Sequence, residues 1–283
     1  MALTLGLQVY SVRESLQKDF WGTMEAVAKI GYRNIELANH HAEADYGCGF
    51  GVPAAEFKRR MDGLGLKTVS SHVFPLENTD LDKVIEYAKV IGNDNIVCPM
   101  YFYTSAADAL ELAKRLNTWG AKLRKSGMRL FYHNHFHEFQ KYGGKAVLDI
   151  LLENTDPELV DFELDTFWAL RGGVDPVAYL KKLGKRCLLI HQKDLTKGTK
   201  PENLFERVKP DAKIDMESFK KDGARHEDFT EAGEGMMDIR GIIAAANKIG
   251  TAKYIIIEQD YSSRGEIDSV ALSYKNIQKL LSR

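Results

Sequence analysis

The apolar residues of this chain keep switching between two periods, and most helix-like runs are closed by a glycine before the next strand-like run begins. Leu3 to Tyr10 alternates as a strand, and Phe20 to Ile30 has the spacing of an amphipathic helix ending at Gly31. Arg33 to Leu37 is a short strand. Pro53 to Leu64 is a helix with proline in its first turn, where the missing N–H costs nothing. Gly65 stops it. The alternation continues with the strand Lys67 to Val73, the helix Leu81 to Ile91 closed by Gly92, and the strand Asn95 to Cys98. The helix Ala106 to Lys125 with Gly127 and the strand Met128 to His133 follow. Lys145 to Glu153 is helical, Leu159 to Leu164 a strand, Asp175 to Leu183 a helix stopped by Gly184, and Arg186 to Ile190 a strand. Asp238 to Ile249 is a helix stopped by Gly250, Lys253 to Ile257 a strand, and Ile267 to Leu281 the last helix.

Eight strands alternating with eight helices predict an α/β fold with a parallel sheet, closed as a (β/α)8 TIM barrel. The 283 residues suit one such barrel over 1–283, since these domains run to roughly 250 residues or more. A doubly wound open sheet is the other architecture, but the first strand–helix joint lacks the GxGxxG of its commonest form. Thr196 to Glu231 fits no unit and is rich in lysine, aspartate and glutamate. A long aperiodic segment after the seventh strand is expected to form a loop over the catalytic face.

Composition removes several function classes. Apolar residues at 44% and charged residues at 28% exclude a disordered chain. No apolar run approaches the ~18 residues of a membrane span, and Met1 to Tyr10 has no leader pattern, so a cytoplasmic protein is expected. The net charge of −1, with no basic run, argues against a nucleic-acid partner. Cys48, Cys98 and Cys187 form no CxxC, which argues against a disulfide framework or a zinc knuckle.

In a barrel the C-terminal strand ends face the active site. Here they carry Gln8 and Tyr10, Glu36, His72, then His133-Asn134-His135-Phe136-His137-Glu138, Asp165, His191-Gln192-Lys193-Asp194, and Glu258-Gln259-Asp260. Each has an ordinary reading alone: Glu36 as an ion-pair partner, His72 as a hydrogen-bonded core histidine, Asp165 as a helix cap. Their joint occurrence at one level of the barrel points to a ligand or metal, because charges buried for structure alone are costly. Glu138, Asp165, His191 and Glu258, at the ends of strands five to eight, suit one divalent ion. Manganese is the first choice, with Mg, Co or Zn as alternatives.

These motifs resemble the sugar phosphate isomerase/epimerase proteins of the xylose-isomerase-like barrel superfamily over nearly the whole chain. The resemblance lies in Gly6-Leu7-Gln8-Val9-Tyr10-Ser11-Val12-Arg13, Gly31-Tyr32-Arg33-Asn34-Ile35-Glu36-Leu37, Tyr132-His133-Asn134-His135 and Glu138-Phe139. It continues in Phe162-Glu163-Leu164-Asp165, Ile190-His191-Gln192-Lys193-Asp194, Gly233-Glu234-Gly235 and Ile257-Glu258-Gln259-Asp260. In ketose epimerases of that superfamily a Glu-Asp-His-Glu set holds the metal. The resemblance assigns those places to Glu138, Asp165, His191 and Glu258, with His135 as the alternative to Glu138. Gly233 to Asp238 brings an acid to a helix start, so a phosphate site is not supported, and its other reading is a turn capped by Asp238.

The chemistry expected of such a site is proton transfer next to a carbonyl through an enediolate, giving a sugar isomerase or epimerase on a keto sugar or keto-glycoside. Glu138 and Glu258 are the candidate acid–base residues. Gln8, Tyr10, Glu36, His72, His133, His135 and Lys193 are candidates for binding the sugar. Loss of a β-substituent from the same intermediate would make the protein a lyase or dehydratase. Rivals from other classes are a metal-dependent endonuclease for abasic DNA, which would need a basic groove, and a retaining glycosidase with a carboxylate pair about 5 Å apart. A non-catalytic sugar-binding subunit is the third. A homo-oligomer is compatible with any of them.

Overall fold

In the computed structural model, which describes residues 3–200, 203–207, 212–223 and 225–282, eight parallel strands close on themselves. They are β1 (Thr4–Gln8), β2 (Asn34–Asn39), β3 (Lys67–Val73), β4 (Asn95–Cys98), β5 (Arg129–His133), β6 (Val160–Asp165), β7 (Cys187–Gln192) and β8 (Tyr254–Ile257). Each pairs with its successor, and β8 pairs with β1 from Thr4↔Tyr254 to Leu7↔Ile257. Around them stand α1 (Phe20–Ile30), α2 (Ala54–Gly63), α3 (Leu81–Ile91) and α4 (Ala106–Lys125), then α5 (Val147–Asn154), α6 (Pro176–Leu183), α7 (Ile239–Ile249) and α8 (Glu266–Leu281). Gly92 and Gly250 end their helices in the left-handed conformation, which a residue without a Cβ adopts without strain.

Differences from the sequence reading are local and have visible causes. β1 stops at Gln8 rather than Tyr10, because the Gln8 side chain accepts the Tyr10 N–H and turns the chain into a 3-10 turn. Helix α5 begins at Val147, since Lys145–Ala146 is used in an antiparallel ribbon with Lys141–Tyr142. The 196–231 excursion is not wholly irregular. Its ends are zipped by antiparallel pairing of Asp194–Leu195 with Phe229–Thr230, and it carries a short helix, Met216–Asp222. Residues 201–202, 208–211 and 224 of that segment lie outside the described residues.

Inside the barrel Val69, Val97, Phe131, Leu189 and Ile256 pack as a separate apolar layer. Side chains on a strand return to the same face every second residue. The next inward positions above Phe131, Leu189 and Ile256 are therefore His133, His191 and Glu258. The register slips between Ile35 and Glu36 on the β2–β3 edge, and between Phe162 and Glu163 on the β6–β7 edge. Such bulges re-aim side chains beside active sites, and here each lies at a carboxylate of the charged layer. No helix among the described residues is long and apolar enough to cross a membrane. If the barrel folds as one unit, limited proteolysis cuts first within residues 196–231 and leaves a compact remainder. Early cleavage near mid-chain into two stable halves contradicts it.

Candidate active site

The charged layer above the apolar one is a connected network. Glu36 on β2 accepts from Gln8 Nε2 at 3.1 Å and bonds His191 Nε2 on β7 through the same oxygen. The other ring nitrogen of His191 meets Glu258 Oε2 at 3.1 Å. Glu163, on β6, takes His72 Nε2 at 2.8 Å and His133 Nδ1 at 3.1 Å on one oxygen. Lys193 donates to Asp165 Oδ2 at 2.9 Å and to Glu258, with Asp260 Oδ1 at 3.5 Å. All of these groups but Asp260 are buried side chains. Two sets bring their ligand atoms within 4.8 Å of one another: His72, His133, Glu163 and His191, and Asp165, His191 and Glu258. His191 belongs to both.

Environment splits the protonation states. Burial raises the Glu36 carboxyl, but the His72 and His191 charges outweigh it and hold it at about 2. Burial and the Glu36 charge push Glu163 up to about 7. Burial opposes the charge on His191 and Lys193. Even so, Glu163 and Glu36 raise His191, and Asp165, Asp260 and Glu258 keep Lys193 protonated. Burial would also raise Glu258, yet Lys193 and His191 hold it well below the usual carboxylate range. Asp260 is pushed up to about 7, by burial first and by Glu258 and Asp165 against Lys193. Burial and their cationic neighbours push His133 and His135 down, favouring neutral rings.

Over this floor lies a cavity of about 490 Å³. Of the residues expected to bind a sugar, Tyr10, His72, His133, His135 and Lys193 line it, while Gln8 and Glu36 lie in the network beneath. His40 lines it as well.

Glu138 stands apart from the other three expected ligands. It is absent from both convergent sets. One of its oxygens accepts from Tyr132 Oη at 2.7 Å and the other from the His135 backbone N–H at 2.8 Å. β5 ends at His133, and Glu138 lies in the following 3-10 turn, His137–Phe139. The three histidines of this motif part company: His133 joins the network, His135 the cavity, and His137 bonds the Tyr101 carbonyl at 2.8 Å.

Glu163 and Asp260 were not singled out from the sequence. Glu163 precedes Asp165 by two residues, so strand alternation puts both on one face, and that signal was available. Asp165 keeps a capping role too, accepting the Trp168 N–H at 2.8 Å. The Gly233-Glu234-Gly235 motif is structural: the Gly233, Gly235 and Met237 N–H groups donate to the Asp194 carboxylate at 2.9–3.0 Å. That carboxylate fills the place an anion would take. Asp238 caps α7 by accepting from Gly241 N.

The model of the xylose isomerase-like TIM barrel family matches residues 24–280. The chain belongs to that family. Within it, the chain is similar to inosose dehydratase of Clostridium beijerinckii, 27% identical over 167 residues, 59% of this chain and 52% of the relative. The chain spans about half the length of the curated relatives it matches. Among solved structures, a sugar phosphate isomerase/epimerase from Parabacteroides distasonis superposes with a TM-score of 0.76 and 25% identity, covering 98% of this chain and 94% of that one. The IOLI protein, solved with a bound zinc atom, gives a TM-score of 0.69 at 14% identity over 100% and 98% of the two chains, a likeness of fold.

The placement of Glu138 makes a prediction. Glu138→Ala leaves Tyr132 Oη and a backbone N–H without their acceptor, a loss of about 1–3 kcal/mol. Thermal unfolding should record it, while divalent-metal stoichiometry by elemental analysis stays unchanged. Loss of metal with unchanged stability would return Glu138 to the ligand set.

Proposed function

We propose that this chain is a lyase, a dehydratase acting on a cyclic polyol ketone or keto sugar with the help of one divalent ion. The observation that carries the reading is the cavity floor, where the buried Lys193 ammonium lies between Asp165 and Glu258 beside Asp260. Similarity to inosose dehydratases supports it.

The residues present fit a divalent ion. Glu36 Oε1 and Glu163 Oε1 are buried without a hydrogen-bond partner, and imidazoles with carboxylates make a donor set for Mn²⁺, Co²⁺ or Zn²⁺ rather than Mg²⁺. His191 would hold it in either set, with His72, His133 and Glu163 or with Asp165 and Glu258. Bound there, the ion would supply Lewis-acid stabilisation of negative charge developing on the substrate carbonyl oxygen.

The chain's own groups supply the rest. Glu258, held ionised by Lys193 and His191, accepts the proton from the carbon next to the carbonyl. Lys193 donates a hydrogen bond to substrate oxygen and keeps the ionised form of Glu258 in place. Asp260, poised at about 7, is suited to give a proton to the departing hydroxyl. The C–H bond breaks, its electron pair becomes the carbon–carbon double bond, and the β carbon–oxygen bond releases water. The neutral His133 and His135 rings offer hydrogen bonds to hydroxyls.

Isomerisation or epimerisation is the second reading, favoured by the likeness to the Parabacteroides distasonis protein. It uses the same proton removal but returns the proton to carbon.

Two experiments test this. His191→Ala should lose the metal, because both sets share this ligand, with the fold retained by circular dichroism; full metal content in that variant contradicts the site. In D₂O, inosose or a keto sugar should exchange the hydrogen next to its carbonyl and lose water. Glu258→Gln should slow both by about 10²–10⁴-fold. Exchange without loss of water selects the isomerase reading, and no exchange with any keto sugar in metal-loaded protein contradicts proton abstraction altogether.

A further inference from the structure

The cavity has a second side that the floor chemistry does not use. Above Lys193 and Glu258 its wall is aromatic: Trp168, Phe219, Phe229 and Tyr261, with Met216 beside them. Trp168 sits on the short helix that Asp165 caps, so this wall is built on a residue of the acidic floor. Phe219 comes from the Met216–Asp222 helix of the excursion. It is held by stacking on Phe136 at 5.4 Å and by an edge contact with His135 at 5.1 Å. The Phe219 and Trp168 rings lie 5.8 Å apart.

We propose that the substrate carries a second ring beyond the reacting ketone ring, and that this ring packs on the Trp168–Phe219 wall. The inference deepens the keto-sugar reading above and rests on it for what occupies the floor. Cavities of roughly 300–1,000 Å³ take drug-sized ligands, and 490 Å³ leaves room beside one six-membered polyol ring. Aromatic faces favour a ring with apolar faces, whether an aromatic aglycone or a second sugar. A free cyclic polyol would leave the wall uncovered.

The test is calorimetric binding of three glycosides that lack the ketone and cannot react: phenyl β-glucoside, cellobiose and methyl β-glucoside. Phenyl β-glucoside or cellobiose should bind about ten-fold more tightly than methyl β-glucoside. Preference for phenyl identifies an aromatic aglycone, and preference for cellobiose a second sugar. Phe219→Ala should erase the difference. Trp168→Phe, which keeps a smaller stacking face, should reduce the difference without erasing it. Equal affinities, a difference that survives Phe219→Ala, or no binding by either ring-extended probe overturns the proposal. Because no turnover is measured, these outcomes are distinct from failure of the dehydratase reading, which the D₂O experiment registers.

Discussion

The imidazole of His191 is the interaction on which the arrangement turns. Its Nε2 faces Glu36 and its Nδ1 faces Glu258, so one buried ring links β2, β7 and the end of β8. Glu163 does the same for β3, β5 and β6 through His72 and His133. Taking an ion out of water costs several kcal/mol even after relaxation, so each of these charges is tolerable only where its partner is. The partners come from different strands. They meet only if the barrel closes with the observed register, since a slip of one residue would turn each side chain to the other face. Closure and site are therefore one constraint. The apolar layer of Val69, Val97, Phe131, Leu189 and Ile256 seals the network from below.

That network is electrostatically uneven, and the unevenness is what a proton-transfer site requires. Glu36 and Glu258 are held ionised by cations, whereas Glu163 and Asp260 rise to about 7 because burial and neighbouring carboxylates act on them together. Lys193 keeps its proton among three acids. The cavity thus offers an ionised carboxylate, a near-neutral acid and an ammonium side by side.

Much of this was legible in the sequence for physical reasons. Repeated switching of the apolar period, punctuated by glycine, fixes strand and helix order, and barrel geometry then places Asp165, His191 and Glu258 at one level. Glu138 is in neither convergent set, since the chain leaves the strand at His133, after which alternation no longer says where a side chain points. Glu163 was missed because on the sixth strand only the final residue, Asp165, was weighed. The bulges at Glu36 and Glu163 have no signature in composition or period, yet they help aim two of the carboxylates. The Met216–Asp222 helix is too short to show a period, and aromatic contacts such as Phe136–Phe219 hold it in place. Long-range packing of that kind cannot be read from local pattern.

The proposed function requires the convergent imidazoles and carboxylates around His191 to hold a divalent ion. Anomalous diffraction from crystals grown with Mn²⁺ or Zn²⁺, collected at the metal's absorption edge, tests this. One strong peak is expected within coordination distance of His191, shared with Glu163 and His133 or with Asp165 and Glu258. Peaks confined to surface carboxylates, with none at His191 in metal-saturated crystals, would contradict it.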